Sequence, residues 1–220
     1  SLIMAIALVA ATIIFLRSSR SDEQWNPDSA LTARRMIARY RDSDSLGYFT
    51  TRGDKLLHFS PDGKAAVAYR VVAGVSLASS APLGDPNSWP QAITTWQDEA
   101  RRYGWVPAVL SCSEAGARSY NKVLGYGILQ LGDEAILTTE RFRLDSTAMT
   151  AVRRSVNRAR PEGLTVRITH TADREADAVA ASGEAADEWG EGAERGYTMP
   201  LGRLVDPAYG PQVVAPLHAP

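Results

Sequence analysis

The side chains that could do chemistry fall into three groups. Asp85 stands in Gly84-Asp85-Pro86, just before a helix, where a carboxylate can act near a helix N-terminus or simply hold a turn. Arg153, Arg154, Arg158 and Arg160, with Asn157 among them, form a dense basic segment that can meet phosphates or remain a solvated helix face. Asp187 and Glu188 lie in Ala186-Asp187-Glu188-Trp189, within an acidic stretch that can equally be a solvated face. Metal chemistry has little support. His58, His170 and His218 lack a second ligand at metal spacing, so no metal is expected. Cys112 follows an apolar strand with no base beside it and reads as core. Gly63-Lys64 lacks the preceding glycine of a phosphate loop and reads as a hairpin turn.

Charge is distributed unevenly, although the net charge is only -1. Between Arg141 and His170, seven arginines face Asp145 and Glu162. Between Asp173 and Arg195, eight carboxylates face Arg174 and Arg195. Neighbouring stretches therefore have opposite electrostatic character. With 220 residues and 45% hydrophobic content, the chain can bury one or two cores. A single cysteine excludes an internal disulfide and fits a reducing compartment.

The elements that would position these groups begin with an apolar run, Leu2 to Leu16, which has no charge, proline or glycine. It is somewhat shorter than the ~20 residues that cross a bilayer. Beginning at Ser1, it reads as the end of a longer transmembrane helix covering 1–17. Arg17 and Arg20 follow, which places the next domain on the cytoplasmic side of the cell membrane. A cleaved signal peptide would need a basic start and a small-residue cleavage site, and neither is present. A juxtamembrane linker and helix occupy 18–45, with Asp28 or Ser29 as cap and Leu31, Met36, Ile37 and Tyr40 on one side.

Strand-like segments follow at Tyr48–Thr51, Leu56–Ser60, Ala65–Val72 and Val75–Ser79, an antiparallel meander. Pro82, Gly84 and Pro86 then impose a loop before a helix whose core face is Trp89, Ile93, Trp96, Ala100 and Tyr103. Asn87 or Ser88 caps its start and Gly104 its end. A strand at Val106–Cys112, a helix from Ser113 to Leu124 and a strand at Glu134–Thr139 complete the order. Next come a helix from Ser146, ended by Pro161-Glu162-Gly163, a strand at Leu164–Thr169 and an acidic helix from Asp173 to about Trp189. This is an α/β (α+β) chain with a mixed sheet and flanking helices. Its order resembles the acyltransferase fold of the GCN5-related N-acetyltransferases. The loop ASSAPLGDPNSWP lacks the glycine-rich pattern that holds the coenzyme A pyrophosphate, which disfavours acetyl-coenzyme A as donor.

An ordered set of short motifs is more specific: Gly47-Tyr48-Phe49, Ala68-Tyr69-Arg70, Gly84-Asp85-Pro86, Leu131-Gly132-Asp133-Glu134-Ala135, the run from Val152 to Arg160, Ala186-Asp187-Glu188-Trp189, and Glu194-Arg195-Gly196-Tyr197. Together they resemble the C-terminal domain of lysylphosphatidylglycerol synthases, the multiple peptide resistance factor family. The likeness is to its actinobacterial branch, in which the domain can be fused to a lysyl-tRNA synthetase. The resemblance implies two acetyltransferase-like units, here a first one over 46–170 and the truncated start of a second over 171–220. It also implies transfer of an aminoacyl group, with lysyl expected, from aminoacyl-tRNA to phosphatidylglycerol at the membrane. That ester exchange needs no cofactor. In this light Asp187 becomes the candidate catalytic carboxylate near the lysyl amines, with Asp85 second. Glu188, Arg153, Arg154, Asn157, Arg158 and Arg160 become substrate-binding candidates toward tRNA phosphates or lipid headgroups. Two other readings stay open: a noncatalytic membrane-tethered module that binds tRNA, lipid or a partner, and a small-molecule N-acyltransferase.

Overall fold

The computed structural model describes residues 26–40, 44–170, 176–189, 213–215 and 217–218. The expected transmembrane end and most of the linker lie outside these. No helix among the described residues is long and apolar enough to cross a membrane. The chain forms two compact units, residues 1–131 with 195–202, and residues 132–194 with 203–220.

Among the described residues the first unit starts with helix α1 (Pro27–Arg39), capped by Asn26, whose side chain accepts from the Asp28 amide. The cap lies two residues before the expected Asp28 because Pro27, which has no amide hydrogen, fits the first helical position. Its buried face is Ala30, Ala33 and Met36, while Leu31 is 44% exposed. Of the expected face, Met36 packs with Ala33 against Ala66 and Leu83, with Ile37 partly buried beside them, whereas Leu31 turns outward. Residues Ser45–Thr51 wind as a 3-10 helix, not the expected strand at Tyr48–Thr51. The local hydrogen bonds explain the difference: Asp44 caps the Leu46 amide, and Thr50 and Thr51 donate to the Gly47 and Tyr48 carbonyls.

Strands β1 (Leu56–Phe59), β2 (Ala65–Val72) and β3 (Val75–Ser79) form the antiparallel meander. A two-residue β4 (Leu83–Gly84) pairs with the start of β2. Helix α2 (Trp89–Arg102) then crosses to β5 (Val106–Leu110), which pairs in parallel with β3. Helix α3 (Glu114–Leu124) is capped by Ser113, whose hydroxyl accepts from the Gly116 amide, and ends at left-handed Gly125.

The alternation of β2 divides the interior. Ala65, Val67 and Tyr69 join Trp89, Ile93, Trp96, Ala100, Trp105 and Tyr120 in one core, whereas Ala66 packs with Ala33, Met36 and Leu83 in a second. Helices therefore cover both faces of the sheet. Some polar atoms of the larger core are paired: Trp96 donates to Ser76 Oγ at 3.0 Å, and Tyr69 donates to Glu99, which also meets His58 Nδ1 at 2.8 Å, whereas the buried Trp89 Nε1 meets no acceptor among the described residues.

In the second unit, a 3-10 turn (Thr147–Met149) leads into α4 (Thr150–Ala159), and Gly163 at φ 75° ends the following turn. The expected strand Glu134–Thr139 does not form; residues 125–138 carry neither helix nor strand, and Ile136 is 83% exposed. A strand needs a neighbour for its backbone groups, and none among the described strands pairs with it. The expected strand Leu164–Thr169 divides into β6 (Thr165–Val166) and β7 (Thr169–His170), which pair with β9 (Leu217–His218) and β8 (Val213–Val214). Helix α5 spans Ala176–Trp189.

Candidate functional site

Two regions hold the candidate side chains, one in each unit. In the first, Asp85 follows β4 and enters α2. Gly84 adopts φ 86°, and a β-carbon there would collide with the Lys64 carbonyl oxygen, so only glycine lets the loop lie against the β1–β2 turn. The Asp85 amide donates to that same carbonyl at 2.9 Å. One Asp85 carboxylate oxygen accepts from the Asn87 amide at 2.9 Å and from its side chain at 3.0 Å. This is a turn-holding arrangement. Ser88 occupies the N-cap of α2, yet its hydroxyl donates to Asp62 at 2.7 Å instead of capping the helix. Asp62 also accepts from Ser60 and the Lys64 amide, and these hydrogen bonds hold its pKa down to about 2.

The carboxyl ends of β3 and β5 lie beside this loop. There the Asp44 carboxylate accepts from the amides of Ala81 at 2.6 Å and Ser113 at 3.2 Å, besides that of Leu46. Ser80 and Ser111 both take left-handed backbone, at φ 66° and 54°. Nearby, the buried Lys55 ammonium donates to Ser79 Oγ at 2.8 Å and to the Phe49 carbonyl at 3.1 Å. Burial lowers its pKa to about 8. Sequence reasoning singled out neither Asp44 nor Lys55. Nothing in the neighbouring sequence marks either one, and only tertiary contacts reveal them.

In the second unit the arginines of α4 divide by role. Arg153 turns back on the preceding loop and donates to the Leu144 and Ser146 carbonyls at 2.7 and 2.6 Å and to Thr150. Arg154, Asn157, Arg158 and Arg160 are exposed, and their side chains make no hydrogen bond or ion pair among the described residues. Arg154 and Arg158, four apart, share one helix face. Asp187 and Glu188 lie in the last turn of α5, with Glu188 exposed. The structure thus gathers Arg154, Asn157 and Arg158 on one helix and keeps Asp85 with the other unit. Among the described residues, no three His, Cys, Asp or Glu side chains gather as metal ligands.

Residues 34–217 match the family described as phosphatidylglycerol lysyltransferase, C-terminal. The chain belongs to that family. It is 48% identical over 207 residues to the lysylphosphatidylglycerol biosynthesis bifunctional protein LysX of Mycolicibacterium vanbaalenii, a match covering 94% of this chain and 19% of the relative. The LysX protein of Rhodococcus jostii is 48% identical over 203 residues, covering 92% of this chain and 18% of the relative. This chain therefore spans about a fifth of the length of these relatives. Its fold is that of L-PGS from Bacillus licheniformis, with a TM-score of 0.71 and 21% identity over 91% of this chain and 60% of that one. The C-terminal domain of a putative lysylphosphatidylglycerol synthetase from Agrobacterium fabrum gives a TM-score of 0.72 at 22% identity, covering 87% of this chain and 60% of that one. A mixed α/β fold with helices flanking a sheet is common to them.

Proposed function

We propose that this phosphatidylglycerol lysyltransferase family domain contributes to the transfer of a lysyl group from lysyl-tRNA to phosphatidylglycerol at a membrane surface. The family match over residues 34–217 carries this reading. In the reaction a hydroxyl oxygen of the lipid glycerol attacks the lysyl ester carbonyl. A new ester bond forms, the bond to the terminal ribose oxygen of tRNA breaks, and the hydroxyl proton passes to that oxygen. One ester replaces another, so the main demands are alignment of two large substrates, a proton acceptor and donors to the oxyanion. The product carries positive charge on a lipid that was anionic.

Arg154 and Arg158 suit contact with the tRNA backbone, because each presents an exposed guanidinium not committed within the described residues. Arg153 keeps their helix in register with the loop before it. Asp187, with Glu188 beside it, is assigned to the amines of the lysyl group, and Asp85 to holding the loop that enters α2. The apolar run before Arg17 would tether the domain on the cytoplasmic side, close to its acceptor. The salt dependence of lysyl-tRNA binding tests the phosphate contacts. Arg154→Glu with Arg158→Glu should lower the slope of log affinity against log salt by about 1.5, since each lost phosphate contact removes about 0.7–0.9. An unchanged slope removes this helix from the tRNA path.

A further inference from the structure

Strands β3 and β5 run parallel and are joined through α2, so their carboxyl ends lie side by side where α3 begins. In open sheets of this topology, ligands bind beyond such strand ends. Helix N-termini and outward-turned amides there attract anions. In this unit the chain itself fills the place. Asp44, carried from outside the sheet, directs one carboxylate at the amides of Ala81, after β3, and Ser113, after β5. The left-handed Ser80 and Ser111 immediately precede these segments. A second contact closes the gap further: a β-carbon at Gly116 of α3 would lie 2.6 Å from Ala81 Cβ, so helix and loop meet with no layer of atoms between them. The Cys112 thiol senses the same carboxylate, for burial and the Asp44 charge push its pKa up to about 11. The loop sequence agrees, since ASSAPLGDPNSWP offers no glycine-rich cradle for a pyrophosphate.

We propose that Asp44 is a built-in anionic ligand that seals the strand-end crevice of the first unit, so that this crevice takes no coenzyme A-type pyrophosphate and the unit serves there as a scaffold. This goes beyond the lysyl-transfer reading, and its tests need no lysyl transfer, so the two can fail separately.

The test uses the full chain and its Asp44→Ala and Asp44→Asn variants. Asp44→Ala should lower Tm by about 5–10 °C through loss of the charge-assisted hydrogen bonds. Sodium formate, a free carboxylate small enough for the vacated space, should restore at least half of that loss relative to sodium chloride at equal ionic strength. The wild type should not respond to formate. Asp44→Asn should alkylate at Cys112 several-fold faster with iodoacetamide, because the neighbouring negative charge is gone. Coenzyme A and inorganic pyrophosphate should neither raise the Tm of the wild type nor protect its Cys112. The proposal is overturned if either compound stabilises or protects the wild type, or if folded Asp44→Ala gains nothing from formate. Should Asp44→Ala not fold, Asp44→Asn decides: unchanged Cys112 alkylation overturns the proposal, and faster alkylation without coenzyme A protection of the wild type upholds it.

Discussion

Replacing Lys55 by methionine would remove a buried ammonium while leaving most of its stem, and the consequence depends on pH in a way the structure specifies. The Lys55 side chain is almost wholly buried, with Ser79 Oγ and the Phe49 carbonyl as partners, and its pKa falls from 10.5 to about 8. Burial is the main cause; the Asp54 charge acts in the opposite direction, and Arg52 adds to the lowering. A fall of about 2.5 units corresponds to about 3 kcal/mol against the charged form in the folded state. Below about pH 8 both folded and unfolded chains hold the proton and this penalty is fully present. Between about 8 and 10.5 the unfolded chain binds more protons than the folded one, so stability rises with pH. Above that range the penalty is gone.

At neutral pH, Lys55→Met removes this penalty but leaves the Phe49 carbonyl without its ammonium donor, a loss of about 1–3 kcal/mol. The two variants should therefore differ by less than about 2 kcal/mol at pH 7. The wild type should gain on the variant by about 3 kcal/mol by about pH 11. Urea unfolding followed by tryptophan fluorescence measures this directly, since Trp89, Trp96 and Trp105 are buried in the core. Other groups titrate alike in both proteins and cancel in the difference. A difference that stays flat from pH 7 to pH 11 would show that burial does not disfavour the charged form of Lys55.

Three further outcomes are expected. Gly84→Ala should cost about 3 kcal/mol or more in urea unfolding, because a β-carbon meets the Lys64 carbonyl and φ is 86°. A loss below about 1 kcal/mol would show that the β4 loop can move away. Arg153→Ala should reduce thermal stability through its lost carbonyl contacts, whereas Arg154→Ala should change stability by less than about 0.5 kcal/mol. Equal effects on melting would contradict the division of roles on α4. In a full-length synthase carrying this domain, Asp187→Asn should weaken transfer from lysyl-tRNA more than from alanyl-tRNA, and equal losses would rule out its proposed role toward the lysyl amines.

Much of the first unit is legible because its signals are local. The spacing of Trp89, Ile93, Trp96 and Ala100 marks the buried face of α2, and Ser113, whose hydroxyl caps α3, marks where that helix starts. Leu56–Phe59, Ala65–Val72 and Val75–Ser79 form strands as their composition suggests. Where a partner decides, the sequence is silent. Tyr48–Thr51 has strand composition, yet Asp44 and two threonines provide a 3-10 alternative. Glu134–Thr139 has apolar residues but no neighbouring strand among those described. Asp44 and Lys55 are invisible for a related reason, since their partners, Ala81, Ser113 and Ser79, are distant in sequence. The arginine cluster was legible as a basic face, but the separate role of Arg153 depends on where the Leu144 and Ser146 carbonyls point.

Lysyl transfer is defined by the ester bond made and the ester bond broken. The direct measurement gives radiolabelled lysyl-tRNA and phosphatidylglycerol vesicles to a full-length synthase carrying this domain and follows label into extracted lipid. Labelled lysylphosphatidylglycerol is expected, formed in step with the loss of lysyl-tRNA and abolished when the tRNA is digested beforehand. Label that stays out of the lipid while the protein is folded, or enters it equally well from free lysine and ATP after tRNA digestion, would contradict it.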